Sequence, residues 1–108
     1  MISGSYDQSM AVWDLRKLKQ PIETVELGAS VWDIKFNSDR RIGIASIYDG
    51  YRFGPSHNAS TTILPETYLE FRGHDSICYA FEWTGLKTTG GKEVILTSSF
   101  YDSTLKLI

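Results

Sequence analysis

The chain repeats one short pattern three times, as Ile2-Ser3-Gly4-Ser5-Tyr6-Asp7, Ile44-Ala45-Ser46-Ile47-Tyr48-Asp49 and Thr97-Ser98-Ser99-Phe100-Tyr101-Asp102. Each copy is a run of small and apolar residues that ends in Tyr-Asp. Successive Asp residues of the pattern are separated by 42 and by 53 positions. A recurrence of this kind indicates a fold built from similar units, with an insertion in the second interval.

A second pair of segments keeps nearly the same period. Val31-Trp32-Asp33-Ile34-Lys35-Phe36 aligns with Cys78-Tyr79-Ala80-Phe81-Glu82-Trp83, which begins 47 positions later. Both segments alternate large residues with smaller or polar ones, and this alternation predicts β-strands. No segment predicts a helix, and the period lies in the range of β-propeller blades. Short alternating runs also follow each Tyr-Asp pair, at 10–13, 51–53 and 105–108.

Two stretches interrupt the repeated pattern. Residues 54–65 are rich in Gly, Pro, Ser, Thr and Asn, and residues 84–92 contain three glycines. Both compositions predict loops between strands. Loops of this length in compact domains are often functional. A tolerated insertion without a role is the favoured interpretation of both, and a functional loop is the alternative.

Composition and charge place the chain among globular proteins. Of its 108 residues, 42% are hydrophobic and 22% are charged, and the formal net charge is −2. A nucleic-acid-binding protein needs a strongly basic face to neutralise phosphates, and the sequence offers none. No apolar run approaches the roughly 20 residues that span a bilayer, and no signal peptide is recognisable near Met1. We therefore expect a cytoplasmic protein that neither binds nucleic acid nor spans a membrane.

Residues that commonly bind metals are sparse. The single Cys78 cannot form an intramolecular disulfide, and we expect it to pack as a small apolar side chain. His57 and His74 lack partner cysteines or carboxylates at the spacing of a metal site. No Gly-Lys-Ser/Thr sequence follows Gly90-Gly91, so this pair does not form a phosphate-binding loop. The sequence predicts no metal and no cofactor.

Several residues at the repeated positions resemble the WD-repeat signature. Trp13-Asp14 closes a predicted strand, and Gly73-His74 precedes another. The resemblance implies an all-β, partial WD40-type β-propeller with antiparallel four-stranded blades. It also implies a buried hydrogen-bond chain of His, Asp, Ser or Thr, and Trp in each blade. Of these hydrogen-bonding residues, the middle unit keeps only Asp49. The first unit matches at Ser3, Asp7 and Trp13, and the last at His74, Ser98 and Asp102, with Ile108 in the Trp position.

A Ser, a His and an Asp also form hydrolytic triads, so Ser98, His74 and Asp102 admit a catalytic interpretation. The WD-repeat resemblance implies instead that these side chains lie inside the blade as a scaffold, where no substrate reaches Ser98. A buried carboxylate and imidazole must be paired, because each unpaired polar group costs roughly 1–3 kcal/mol. The structural interpretation is the favoured one.

The repeats divide the chain into three units. We expect the end of one blade at 1–15, a second blade at 22–56 and a third at 67–108, which lacks its terminal Trp. Both ends look cut, and propellers close with about four to eight blades. Two blades alone would expose unpaired strand edges. We therefore expect the isolated chain to be poorly stable and inactive, and we expect other blades of a longer chain to be its partners.

A narrower resemblance is carried by two sequences that ordinary WD repeats seldom combine. They are Val31-Trp32-Asp33-Ile34-Lys35 and Ser99-Phe100-Tyr101-Asp102. Together with Val12-Trp13-Asp14-Leu15-Arg16, they resemble the C-terminal blades of the WD-repeat diphthine methyl ester hydrolase family. The resemblance implies hydrolysis of the methyl ester on the modified histidine of elongation factor 2, in diphthamide biosynthesis. It assigns no catalytic residue to a position in this chain.

Aromatic residues near strand ends and turns are the candidate contacts to a partner. Core packing is the favoured alternative for each of them. A second hypothesis for the whole chain is a non-catalytic WD-repeat scaffold that binds other proteins, because one fold hosts many functions. The candidate partner-facing residues are Trp32, Tyr48, Tyr79 and Tyr101.

Overall fold

The computed structural model describes residues 1–55, 69–99 and 101–108. These residues form ten β-strands, and no helix occurs among them. The strands are β1 (Ile2–Gly4), β2 (Ser9–Val12), β3 (Glu23–Glu26), β4 (Val31–Phe36), β5 (Arg41–Ser46), β6 (Gly50–Pro55), β7 (Leu69–Phe71), β8 (Ala80–Lys87), β9 (Glu93–Ser99) and β10 (Thr104–Leu107).

Every strand pairs in an antiparallel sense with a neighbour along the chain. The first sheet has the order β1-β2-β3, the second β4-β5-β6-β7, and the third β8-β9-β10. The predicted all-β antiparallel fold is confirmed. Three successive sheets of three to four strands are consistent with part of a β-propeller.

The three Tyr-Asp pairs form three equivalent turns, between β1 and β2, β5 and β6, and β9 and β10. In each turn the residue after the Asp has a left-handed backbone: φ is 73° at Gln8, 86° at Gly50 and 53° at Ser103. Such a conformation is uncommon outside glycine, so its recurrence marks a shared turn geometry. The sequence repeat is therefore also a repeat of backbone conformation.

Two of these turns are closed by identical side-chain hydrogen bonds. Asp7 Oδ1 accepts hydrogen bonds from Ser9 N at 3.0 Å and Ser9 Oγ at 2.6 Å. Asp102 Oδ1 accepts them from Thr104 N at 2.9 Å and Thr104 Oγ1 at 2.6 Å. An Asp that bonds to the backbone two residues on is a common way to fix a turn. The repeated Asp thus has a local structural role.

Equivalent backbone hydrogen bonds join each sheet to the next. Val31 N donates to Ser5 O at 3.0 Å, between the first and second sheets. Cys78 N donates to Ile47 O at 3.0 Å, between the second and third. The donors are the first residues of the two aligned segments found in the sequence, and each acceptor lies two residues before a turn Asp. The same joint is therefore used twice.

Two apolar clusters lie on opposite sides of the second sheet. Because side chains alternate along a strand, Ile42 and Ile44 of β5 lie in one cluster and Ala45 in the other. All three are fully buried. The first cluster contains Met10, Leu27, Val31, Ile42 and Ile44, and the second contains Ala45, Tyr51, Phe53, Cys78, Phe81 and Ile95.

Gly43 allows the second and third sheets to approach each other. A Cβ at this position would lie 2.3 Å from Phe81 Cε2 and 3.0 Å from Phe53 Cδ1. Phe81 packs edge-to-face against Phe53, with ring centroids 5.4 Å apart. Only a residue without a side chain leaves space for this ring pair on β5.

The sheets and the sequence units differ by one strand. Glu23–Glu26 falls in the predicted unit 22–56 but pairs with Ser9–Val12 in the first sheet. Leu69–Phe71 falls in the predicted unit 67–108 but pairs with β6 in the second sheet. Each of these two sequence units therefore begins with the outer strand of the preceding sheet.

The two predicted loops differ in outcome. Residues 84–87 lie in β8 rather than in a loop, because a bulge between Trp83 and Lys87 lets the strand continue past Gly85. The turn spans only the residues between Lys87 and Glu93. Of the predicted loop 54–65, Gly54 and Pro55 end β6, and the remaining residues lie outside the described part of the chain.

Replacing Gly43 by Ala tests the close approach of the two sheets. We expect the free energy of unfolding of the chain to fall by about 1–3 kcal/mol, because the added methyl overpacks against Phe81. Gly90→Ala is the matched control, since its new Cβ would lie 3.9 Å from the nearest atom. Urea denaturation compares the two variants, and equal midpoints would contradict the packing described.

Candidate functional site

His74 is the centre of a buried polar cluster. It lies in the connection between β7 and β8, and its side chain is fully buried. Nδ1 lies 2.9 Å from Asp102 Oδ2, and Nε2 lies 3.0 Å from Thr97 Oγ1. The ring also packs edge-on against Tyr51 and Phe71. The cluster therefore connects the segment that precedes β8 to strand β9 and to the turn after β9.

Asp102 is held in its ionised form. Its burial opposes ionisation, but hydrogen bonds from Thr104 Oγ1, Thr104 N, His74 Nδ1 and Asp75 N outweigh burial. Together they lower the pKa of Asp102 to about 2, from an ordinary value of 3.8. An ionised carboxylate only accepts hydrogen bonds, so Nδ1 of His74 carries a proton.

The hydroxyl beside His74 belongs to Thr97 and not to Ser98. Successive side chains of a strand point to opposite faces, so Thr97 and Ser98 of β9 cannot both reach the imidazole. Thr97 is fully buried, whereas Ser98 Oγ lies 3.5 Å from Ala80 O, a long contact. The WD-repeat resemblance predicted Ser98 in this role from its position four residues before Asp102 in the sequence. In the structure the neighbouring Thr97 has this role.

The first unit contains part of the same arrangement. Trp13 Nε1 donates a hydrogen bond to Ser3 Oγ at 2.8 Å, across the pair of β1 and β2. Asp7 contacts Ser5 and Ser9 within its own turn. In the last unit Ile108, which occupies the Trp position, exchanges two backbone hydrogen bonds with Ile95, each of 2.9 Å.

Burial limits what the His74 cluster can do. A carboxylate on one ring nitrogen and a hydroxyl on the other is the order found in a hydrolytic triad. An ester must reach the hydroxyl for such chemistry, but Thr97 and the His74 side chain have no exposed surface. A satisfied buried network instead rigidifies the fold around it.

Tyr51 extends this buried network toward the third sheet. Its hydroxyl lies 2.6 Å from Ser98 O and 3.1 Å from Ala80 O, so it bridges β8 and β9 from strand β6. Burial raises the pKa of Tyr51 to about 12. The phenol therefore remains a neutral hydrogen-bond donor.

The four candidate partner-facing aromatics are exposed. Tyr48 and Tyr101 precede the turn Asp of their units, and 71% and 66% of their surfaces are exposed. Trp32 and Tyr79 occupy equivalent positions of the aligned segments and contact each other, with ring centroids 5.4 Å apart and ring planes at 46°. Tyr6 is similarly exposed before the first turn Asp, and the Tyr-Asp repeat could have identified it.

A charged group that the sequence analysis missed lies beside this aromatic pair in the chain. Lys35 Nζ contacts Glu82 Oε2 at 2.8 Å and Asp33 Oδ2 at 3.5 Å, and it donates to Phe81 O at 2.9 Å. The hydrogen bond with Glu82 is the largest cause that raises the pKa of Lys35. β4 and β8 thus carry two carboxylates around one ammonium.

Neither a metal site nor a membrane-spanning helix emerges from the described ranges. Among residues 1–55, 69–99 and 101–108, no group of three or more His, Cys, Asp or Glu side chains could hold a metal ion. In the same ranges, no helix is long and apolar enough to cross a membrane.

Comparison with known proteins finds relatives whose names all contain the words diphthine methyltransferase. A protein of Dictyostelium discoideum named diphthine methyltransferase homolog is 34% identical over 115 residues, which cover 96% of this chain. The chain is similar to proteins named diphthine methyltransferase. The protein of that name from Saccharomyces cerevisiae is 27% identical over 98% of the chain, and the one from Homo sapiens is 27% identical over 80%.

The chain spans only part of each relative. It matches 30% of the Dictyostelium protein, 31% of the yeast protein and 20% of the human protein. No family model matches the chain. No solved structure matches it.

Two substitutions in β9 test which hydroxyl serves His74. We expect Thr97→Val to lower the free energy of unfolding by about 1–3 kcal/mol, because it leaves a buried imidazole nitrogen without its partner. Ser98→Ala is the matched control and should change stability much less. Urea denaturation measures both variants. A larger loss for Ser98→Ala would reverse the assignment.

The lowered pKa of Asp102 predicts an acid-dependent stability. Its folded pKa lies below the ordinary value, so its contribution is complete above 3.8 and is lost as the pH falls toward about 2. We expect Asp102→Asn to flatten the fall in stability over this window. Asp39→Asn, which alters an exposed ion pair, should retain the slope of the unsubstituted chain. Identical slopes in all three proteins would contradict the network around Asp102.

Proposed function

We propose that this chain forms consecutive blades of a WD-repeat β-propeller in a protein that acts on methylated diphthine during diphthamide biosynthesis. The observation that carries the proposal is similarity over 96% of the chain to a diphthine methyltransferase homolog. The repeated turn at Asp7 and Asp102 and the repeated joint between sheets support the propeller part.

The reaction we propose is hydrolysis of the methyl ester on the modified histidine of elongation factor 2. Water adds to the ester carbonyl, methanol leaves, and a free carboxylate and a proton remain. The names of the relatives describe a methyl transfer instead of a hydrolysis. The sequences at 31–35 and 99–102, which resemble the ester hydrolase family, favour hydrolysis. We propose that this reaction takes place in the cytoplasm.

Within this reaction we assign the chain a supporting and binding role. Ester hydrolysis needs an activated nucleophile and donors for an oxyanion. The His74 cluster is buried and serves the fold, whereas the exposed aromatics Trp32 and Tyr79 are free to meet a ligand. The same aromatic surface would also serve a non-catalytic scaffold, which is the second candidate function.

A chimeric protein tests the proposed reaction. The region of the Dictyostelium relative that matches this chain is replaced by the chain, and the chimera is purified. We expect it to convert a methylated-diphthine peptide of elongation factor 2 into a product lighter by one CH₂ group, detected by mass spectrometry. The native relative is the positive control, and a chimera carrying a scrambled segment is the negative control.

Two outcomes would contradict the proposal in different ways. A folded chimera that binds the peptide but never changes its mass would favour the scaffold. A gain of one CH₂ group by a diphthine peptide, in the presence of a sulfonium methyl donor, would favour methyl transfer. Thermal unfolding of the chimera, compared with that of the native relative, establishes that the graft is folded.

A further inference from the structure

Trp32 and Tyr79 form an open aromatic wedge at the surface. Their ring planes are inclined at 46° with centroids 5.4 Å apart, and 52% and 42% of their surfaces remain exposed. Large aromatics are normally buried, and the two aromatics of β8, Phe81 and Trp83, do pack into the core. The wedge therefore differs from the core aromatics in exposure, and its two exposed rings contact each other.

A backbone irregularity directs Trp32 away from the core. The pairing of β4 with β5 shifts between Val31 and Asp33, so Trp32 has no partner across the sheet. Val31, its neighbour, is buried in the first apolar cluster. Bulges are over-represented next to binding sites, because the extra residue re-aims a side chain. Trp32 is thus presented to solvent by a specific feature of its strand.

The group of Asp33, Lys35 and Glu82 favours a cation over an anion. Asp33 and Glu82 contribute two negative charges against the single positive charge of Lys35, so the group carries a net negative charge. Asp33 is the residue directly after Trp32 in the chain. Faces of Trp and Tyr rings attract cations through their quadrupoles, and proteins recognise quaternary ammonium groups with clusters of such rings.

We propose that Trp32 and Tyr79 bind the quaternary ammonium group of the diphthine side chain. This inference rests on the proposed function, since diphthine is a histidine derivative that bears a trimethylammonium group beside the carboxyl carbon. Binding the ammonium on the wedge holds the neighbouring ester at a fixed distance from it. The wedge is a specificity element and carries out no step of the hydrolysis itself.

Binding of a simple probe to the full chain tests the wedge directly. We expect tetramethylammonium to perturb the indole N–H resonance of Trp32 in a titration followed by NMR, and neopentyl alcohol, an uncharged molecule of similar shape, to have a much weaker effect. Trp32→Ala and Tyr79→Ala should each weaken binding roughly ten-fold, whereas Tyr79→Phe keeps a ring face and should retain most of it. Tyr6→Ala removes an exposed aromatic outside the wedge and is the matched control. Equal binding of the charged and uncharged probes, or equal losses for Tyr6→Ala and Tyr79→Ala, would overturn the inference.

The chimera separates this inference from the proposed function. With a methylated-diphthine peptide, Trp32→Ala should raise KM roughly ten-fold and leave kcat within about two-fold, because the wedge binds a group that does not react. Trp32→Phe should restore most of the lost affinity. Hydrolysis with unchanged KM in both Ala variants would refute the wedge and leave the proposed function standing. Tetramethylammonium binding by a chimera without esterase activity would support the wedge and refute the proposed reaction.

Discussion

The second sheet is covered by a neighbouring sheet on each of its two faces, and the arrangement of the other strands depends on this double burial. Strand β5 shows the constraint most clearly, because Ile42, Ile44 and Ala45 have no exposed surface although they point to opposite sides. Both faces must therefore be apolar and must fit their neighbours closely. Gly4 and Gly43 meet this requirement where neighbouring sheets approach each other closely, because a Cβ at these positions would collide with Val31 and Phe81, respectively.

Polar groups at the joints are arranged so that few remain unpaired. The Tyr51 hydroxyl reaches carbonyls of β8 and β9, and Arg52 Nη1, on the opposite face of β6, donates to Leu27 O at 2.9 Å. His74, Asp102 and Thr97 form a further paired group. An unpaired buried polar atom lowers stability, so these contacts, together with the apolar ones, fix the relative position of successive sheets. The aromatic wedge lies outside both apolar clusters, and this leaves it free to bind a ligand.

Much of this fold could be predicted from the sequence, because the strongest signals are local. Alternation over residues 31–36 coincides with β4, and the Tyr-Asp repeat marks three turns of equivalent geometry. Strands β3 and β7 were missed because they are short outer strands, half exposed and partly charged, whose pairing is decided by neighbours. The continuation of β8 past Gly85 was missed because a bulge has no clear signal in the sequence.

The site was less predictable than the fold. The residue spacing of the WD-repeat signature predicted Ser98 beside His74, but the pleat of β9 brings Thr97 to the imidazole instead. The exposure of Trp32 depends on a one-residue shift of register, and the grouping of Lys35 with Glu82 depends on two strands 47 residues apart in the sequence. Contacts of this kind arise only when sheets pack, so a pattern within one strand cannot indicate them.

The most direct test of this account is whether both joints between sheets exist in solution. Scalar couplings across hydrogen bonds can be measured by NMR in the isotope-labelled full chain. The account predicts a coupling between Val31 N and the Ser5 carbonyl carbon, and an equivalent one between Cys78 N and the Ile47 carbonyl carbon. Loss of both couplings, together with rapid solvent exchange of the two amide protons, would show that the sheets are not joined as described.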